Sequence, residues 1–161
     1  MLAWSLPAVS AAAGGLAPFD MRLGGYSFPD AQRFLAALDG EGLWLYQNVQ
    51  HLLDLFYPPL ASLTLFCATG ALLPARLGGW RWVIAAVALP TWAVDYLENA
   101  IVGEMLRLGA AAITPALVEQ ASSWTVLKSQ LTTISMSIVL LLLMVRGGQR
   151  LLRRRRGAAS V

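Results

Sequence analysis

Four stretches of the chain are nearly free of charge, and the charged residues gather in the segments between them. Leu2 to Phe19, Leu43 to Leu73, Trp80 to Val102 and Trp124 to Val145 each approach or exceed the roughly twenty apolar residues that carry a helix across hydrocarbon. An all-α, four-crossing bundle in a single membrane domain is the fold this pattern predicts. The first segment, about residues 2–19, is near the lower limit of length. Its small residues, Ala11 to Gly15, look like a signal-peptidase site, but no basic residue precedes them, so a retained helix is expected.

The segment 20–42 carries Asp20, Arg22, Asp30, Arg33, Asp39 and Glu41 and belongs outside the hydrocarbon. Within it, Ser27-Phe28-Pro29-Asp30 combines a capping serine, an early proline and an acid three residues on, and Gly40 and Gly42 read as stop signals. A short helix from about Phe28 to Leu38 follows, with Ala31, Phe34, Leu35 and Leu38 on one face, to rest on the membrane surface or on the other helices. The second long segment, about 43–73, exceeds what a crossing needs, and Pro58 and Pro59 predict a bend within it. Pro74, Gly78 and Gly79 turn the chain before the third helix, about 80–102, which Pro90 should kink. A partly helical loop, 103–122, with a Thr114-Pro115 start, leads to the fourth helix, about 124–145, and a basic tail, 146–161.

Charge sets the expected orientation, because short cytoplasmic loops retain Lys and Arg. Arg76 and Arg81 fall between the second and third helices, and Arg146, Arg150 and Arg153 to Arg156 follow the fourth. Both termini are therefore expected in the cytoplasm of a bacterium, with the protein in its inner membrane. Composition agrees: 57% of the 161 residues are hydrophobic and 13% charged. The net charge of +3 reflects the local arginine tail, which suits anionic lipid and excludes nucleic acid as a partner. The single cysteine, Cys67, excludes an intramolecular disulfide or a paired-cysteine redox motif.

Polar residues inside the apolar segments are the candidates for chemistry, since such groups are costly in lipid and face a bundle interior. At about 1.5 Å per residue, Asp95 and Glu98 stand roughly 21 and 25 Å from Arg81 along their helix, and Lys128 about 27 Å from Arg146. Asp54 and His51 lie roughly 30 Å or more from Arg76, so all occupy one layer in the outer part of the membrane. Gln47, Gln50, His51 and Asp54 recur at three- and four-residue steps, as do Asp95, Glu98 and Asn99, which predicts two polar faces. Turned inward with Lys128, Gln130 and Thr132, they make an acidic pocket whose balance needs a proton, a cation or Arg22 folded down from the first loop. Tyr26 and Arg22 are the expected lid. His51, Asp54, Asp95 and Glu98 are also the one set of candidate metal ligands. Against this stands a bland reading, in which Lys128 pairs with Asp95 or Glu98 only to fix helix packing.

The run Asp20-Met21-Arg22-Leu23-Gly24-Gly25-Tyr26-Ser27, with Asp54 and Asp95-Tyr96-Leu97-Glu98-Asn99, resembles a group of small uncharacterised bacterial four-helix membrane proteins over most of the chain. The resemblance implies that these positions form a shared polar core and implies no activity. A weaker, topological likeness is to the sigma-2 receptor and emopamil-binding group, which has four helices and intramembrane carboxylates; no motif supports it.

Three functions fit. The first is binding or transport of a cation, proton or small amphipathic ligand at Asp54, Asp95 and Glu98, with His51, Asn99, Lys128 and Gln47 around them. The second is a membrane enzyme using a carboxylate or His51, with a possible metal. The third is a structural or assembly subunit. No cofactor is specified, self-association stays open, and nothing resembles a phosphate-binding loop or a nucleophile elbow.

Overall fold

The computed structural model describes residues 4–158, with side chains for residues 4–151. Leu2 and Ala3 of the first apolar segment, and the side chains of Arg153 to Arg156, lie outside the described residues. Those described are helical, without a strand among them. Seven α-helices follow in order: α1 Ser5–Ala12, α2 Phe28–Ala37, α3 Gly40–Trp44, α4 His51–Leu72, α5 Trp80–Ala85, α6 Pro90–Leu108 and α7 Pro115–Ala158.

Two stretches are long and apolar enough to cross a membrane. One is Gly40–Leu72, in which α3 passes through a π-helical turn, Leu45–Gln50, into α4; the other is Pro115–Leu151 of α7. Only 22% and 6% of their most apolar windows are buried, so their hydrophobic side chains point outward, unlike those of a core helix in a water-soluble protein. Leu60, Leu63, Leu140, Leu141 and Met144 are among those exposed.

The first segment departs from expectation. Among its described residues only Ser5–Ala12 is helical, eight residues, or about 12 Å, too short to cross hydrocarbon. Gly14 and Gly15 take positive φ angles of 64° and 87° and end the helix. The chain then folds back through a 3-10 turn, Phe19–Met21, into α2. There the predicted capping box forms: Asp30 N–H donates to Ser27 Oγ at 3.3 Å, and Ser27 N–H donates to Asp30 Oδ2 at 3.2 Å.

Gly42 begins a helix instead of stopping one. Asp39 Oδ1 caps α3 by accepting from its N–H at 2.7 Å, and a Cβ there would come within 2.4 Å of Ala12 Cβ. The residue is therefore fixed by the close approach of α1. Together α1, the 3-10 turn, α2 and α3 form a cap over one end of the long helices. Beneath it Phe19, Phe34 and Tyr46 pack with Val9, Val102, Met105 and Val118. Each such ring or aliphatic side chain withdrawn from water contributes about 1.5–3 kcal/mol.

Pro58 and Pro59 do not interrupt α4, which continues as helix to Leu72. Pro59 has no N–H for the carbonyl of Leu55, and that carbonyl accepts instead from the Tyr96 hydroxyl of α6. Pro90 has a larger effect: the third long segment divides into α5, a 3-10 turn at Ala86–Ala88, and α6. The fourth helix is also longer than expected, since Thr114 Oγ1 accepts from Leu117 N–H at 3.3 Å and starts α7 at Pro115.

At the end away from the cap, Arg146 Nη2 donates to the Leu73 carbonyl at 3.2 Å. That bond caps α4 and places Arg146 at the same end as the Arg76 and Arg81 turn.

Candidate functional site

Where the cap meets the long helices, acids from three segments converge on one lysine. Lys128 leaves α7 with its Nζ 3.0 Å from Asp95 Oδ1 and 3.7 Å from Asp20 Oδ1, and it also pairs with Glu98 Oε2. Asp95 and Glu98 share a face of α6 because they are three residues apart. Each acid has a further partner. Asn99 Nδ2 donates to Asp95 Oδ2 at 2.9 Å, Thr125 Oγ1 to Glu98 Oε1 at 2.6 Å, and the Tyr46 hydroxyl to Asp20 Oδ2 at 2.6 Å. Asp54, on α4, lies within electrostatic range of Asp20, Asp95 and Lys128. Its two oxygens accept from Gln50 Nε2 at 3.0 and 3.1 Å, and Ser5 Oγ of α1 donates to Gln50 Oε1 at 2.7 Å.

Asp54, Asp95 and Glu98 are buried together with Asn99, and Asp20 and Lys128 are largely so, their side chains 10% and 15% exposed, so four carboxylates face one ammonium with little access to bulk water. Removing charges from water costs several kcal/mol each unless they are paired and bonded. The hydrogen bonds supply part of that compensation, and the lysine supplies the rest for at most a share of the acids.

Of the residues expected at the site, Asp95, Glu98, Asn99, Lys128 and Asp54 lie together in one cluster. Gln47 and His51 do not. The π-helical turn at Leu45–Gln50 is wider than an α-helical one and rotates the residues before α4, so Tyr46 turns inward with Gln50 and Asp54 while Gln47 stands exposed; His51, on α4 with Asp54, is exposed on the flank of that face. His51 lies against Gly103 of α6, where a Cβ would meet its Cε1 at 3.3 Å.

Arg22 does not fold onto the acids either. Its Nε donates to the Ala17 carbonyl at 2.9 Å, and the guanidinium sits 5.9 Å from the centre of the Phe34 ring. Among the described residues no three His, Cys, Asp or Glu side chains are grouped to hold a metal ion. The proposed set of His51, Asp54, Asp95 and Glu98 is split because Lys128 takes the central position and His51 faces away.

Tyr26 is buried beside the cluster, close to Thr125, with a hydroxyl that makes no hydrogen bond among the described residues. Burial pushes this phenol well above its ordinary range, with Glu98 and Asp20 adding to the effect, so it stays neutral. The backbone of Tyr26 is held by Ser122, whose Oγ accepts its N–H at 2.8 Å. Gly25 precedes it at φ 85°, and a Cβ there would come 2.7 Å from Ser122 Oγ. The other side of Tyr26 lines an open groove of about 530 Å³ along α7, with Phe28, Val126 and Gln130. Gln130 therefore turns to the surface and away from the acids.

Gln50 joins the cluster from the face that the helical spacing predicts, and Asp20, Tyr46 and Thr125, which the predicted polar faces do not include, complete it. Asp20 stands in the quoted Asp-x-Arg run, but the fold-back that brings it to Lys128 has no periodic signal. Thr125 is three residues before Lys128, so helical spacing was the available clue.

No family profile, curated protein or solved structure matches the chain.

Proposed function

We propose that the chain is a bacterial inner-membrane protein whose buried acid cluster binds protons, or a small cation in their place, as the working part of a binding or transport protein. In this reading α4, α5 with α6, and α7 make three crossings, and α1 enters the outer half only. The arginine end lies in the cytoplasm, where Arg76, Arg81, Arg146 and Arg150 meet anionic headgroups, and the cap faces outward. The resemblance to the small bacterial membrane proteins is consistent with this site, because the positions that carry it include Asp20, Asp54, Asp95 and Glu98. The four-crossing arrangement with a cytoplasmic N-terminus would need an α1 longer than eight residues.

One observation carries the reading: Asp20, Asp95 and Glu98 pair with a single, largely buried cation, Lys128, and Asp54 lies within electrostatic range of the same group. The titratable groups facing this site are those acids, Lys128 from α7, Tyr26 from the first loop and Tyr46 from the π-helical turn, so among the described residues no second positive charge closes the deficit. Protons or a bound cation close it. A site tuned only for packing would match one acid to one lysine.

The test is infrared difference spectroscopy of the protein in lipid nanodiscs across a pH step. A protonated-carboxyl band is expected to appear on acidification and to weaken in Asp95→Asn and Glu98→Gln, with helical content unchanged. If the wild-type spectrum shows no carboxyl band that Asp95→Asn or Glu98→Gln removes, the cluster is a packing latch and the binding reading is wrong.

A further inference from the structure

Below the cluster, the interior between α4, α5, α6 and α7 is lined by small hydroxyl and methyl side chains, while the bulky apolar residues point outward. Ser62, Thr69, Ala85, Ala88, Thr91 and Ser135 are all buried there. Small residues by themselves describe close helix packing. The hydroxyls are the informative feature, because Thr91 Oγ1 and Ser135 Oγ are fully enclosed and neither has a hydrogen-bond partner among the described residues. Thr91 is 8% exposed and Ser135 1%. A helical Ser or Thr facing apolar surroundings normally bonds back to the carbonyl four residues earlier, as Thr64, Ser123 and Ser129 do here. Thr91 and Ser135 do not, so their hydroxyls are directed into the interior.

Their placement follows from helix register. The pairs Asp95 with Lys128 and Glu98 with Thr125 set α6 antiparallel to α7. Position 91 then lies beside 132, and Ser135 lies beside Ala88, one turn or about 5 Å further from the acids. The contacts of Tyr96 with Leu55 and of Trp82 with Gly70 set α4 antiparallel to α5 and α6. They bring Ser62 to the level of Thr91, and Thr69 to that of Ala85. Arg81, at the far end, is a third side chain with an enclosed and unpartnered polar atom, its Nε. Among the described residues, unsatisfied polar atoms therefore lie at the level next to Asp95, one turn further on at Ser135, and at the level of the arginines.

Buried polar groups of this kind are satisfied by ordered water where the site is polar and offers two or more partners. We infer that Ser62, Thr91 and Ser135 hold a short file of water leading from the acid cluster toward the Arg81 end, and that this file is the path by which protons reach the acids. Its role as a path rests on the proton-binding reading above; the presence of water does not.

The experiment is cysteine accessibility in sealed vesicles, with Thr91→Cys and Ser135→Cys made in a Cys67→Ser background. Leu63→Cys and Leu140→Cys serve as lipid-facing controls. A small charged methanethiosulfonate is applied from each side. Apolar burial raises a thiol's pKa, and each unit removes about tenfold of the reactive thiolate at neutral pH. Both track positions are expected to react about tenfold or more faster than the controls, and faster from the arginine side. Unreactive thiols in folded protein, or reaction confined to the cap side, would overturn the inference.

A second measurement uses Thr91→Val and Ser135→Ala. If the hydroxyls are dry and unsatisfied, these replacements raise the melting temperature. With water bound they leave it unchanged or lower it, so a rise also overturns the inference. Reactive cysteines in a protein whose carboxyls do not titrate would keep the water file and remove the proton reading; titrating carboxyls with unreactive cysteines would do the reverse.

Discussion

Lys128 leaves α7 one turn after Thr125, and its ammonium touches carboxylates from the 3-10 turn and from two positions on α6. Replacing it with Met removes the one positive charge in the cluster and leaves buried acids facing each other. Lys128→Met is expected to cost about 3–5 kcal/mol, the range for breaking a buried ion pair, and thermal melts in detergent measure it. Combining it with Asp20→Asn, Asp95→Asn and Glu98→Gln should recover part of that loss, since the neutralised acids no longer repel. A separate titration belongs to the cap. Two hydrogen bonds from Ser27 hold the exposed Asp30 carboxyl below the usual carboxylate range, so its ionised form is favoured in the folded chain. A depressed folded pKa stabilises above the unfolded value and is lost as pH falls through the folded one. Acidification below the carboxylate range should therefore loosen α2, and Asp30→Asn should remove this component, as followed by amide exchange of residues 28–37. Lys128, Asp95, Glu98 and Asn99 were legible in the sequence because matched depth and helical spacing suffice to pair them. Asp20 was not, because a loop residue has no period from which a partner can be read.

At the level of elements, a proline pair and a single proline within long apolar segments act differently. Pro58 and Pro59 sit within a continuous α4 because Tyr96 takes the carbonyl that Pro59 leaves free. Tyr96→Phe is expected to destabilise by about 1 kcal/mol, the net value of one hydrogen bond, and to increase amide exchange around Leu55. Pro90 has no such external partner among the described residues, and the helix breaks at Ala86–Ala88. The crossing of α4 and α5 depends on Gly70, where a Cβ would lie 2.2 Å from the Trp82 ring. Phe66 packs on the same indole at 5.3 Å between ring centres. Gly70→Ala should cost about 1–3 kcal/mol as an overpacked contact. A Gly70→Ala, Trp82→Ala double variant should cost less than the sum of the single ones, which a thermal-unfolding cycle reads directly. Gln47 faces outward for an element-scale reason: a π-helical turn shifts every residue before it relative to every residue after it, and ordinary 3.6-residue counting cannot detect that.

The whole molecule has two cores of different character. The cap buries aromatic and aliphatic side chains as a water-soluble domain does, whereas the long helices bury small and polar residues and turn their leucines outward. That inversion is what a lipid surround favours, since lipid offers apolar side chains what a protein core otherwise would. Spin labels placed at Leu140 and Met144 in nanodiscs are expected to relax with oxygen and to ignore a water-soluble nickel chelate; the opposite response would place α7 in water.

From its apolar runs, helix caps and charges, the sequence by itself determined that the chain is helical, where most of its long helices lie, and that Asp95, Glu98 and Lys128 stand at a matching depth. These are properties of local periodicity and of the cost of charge in lipid, so they need no knowledge of neighbours. The tertiary structure alone decided that Asp20 joins the cluster, that Arg22 stays on Phe34, that Gln47 faces outward, and that Thr91 and Ser135 share an interior. Each depends on a fold-back, a widened turn or the register between helices distant in sequence, and such relations exist only once the elements have packed.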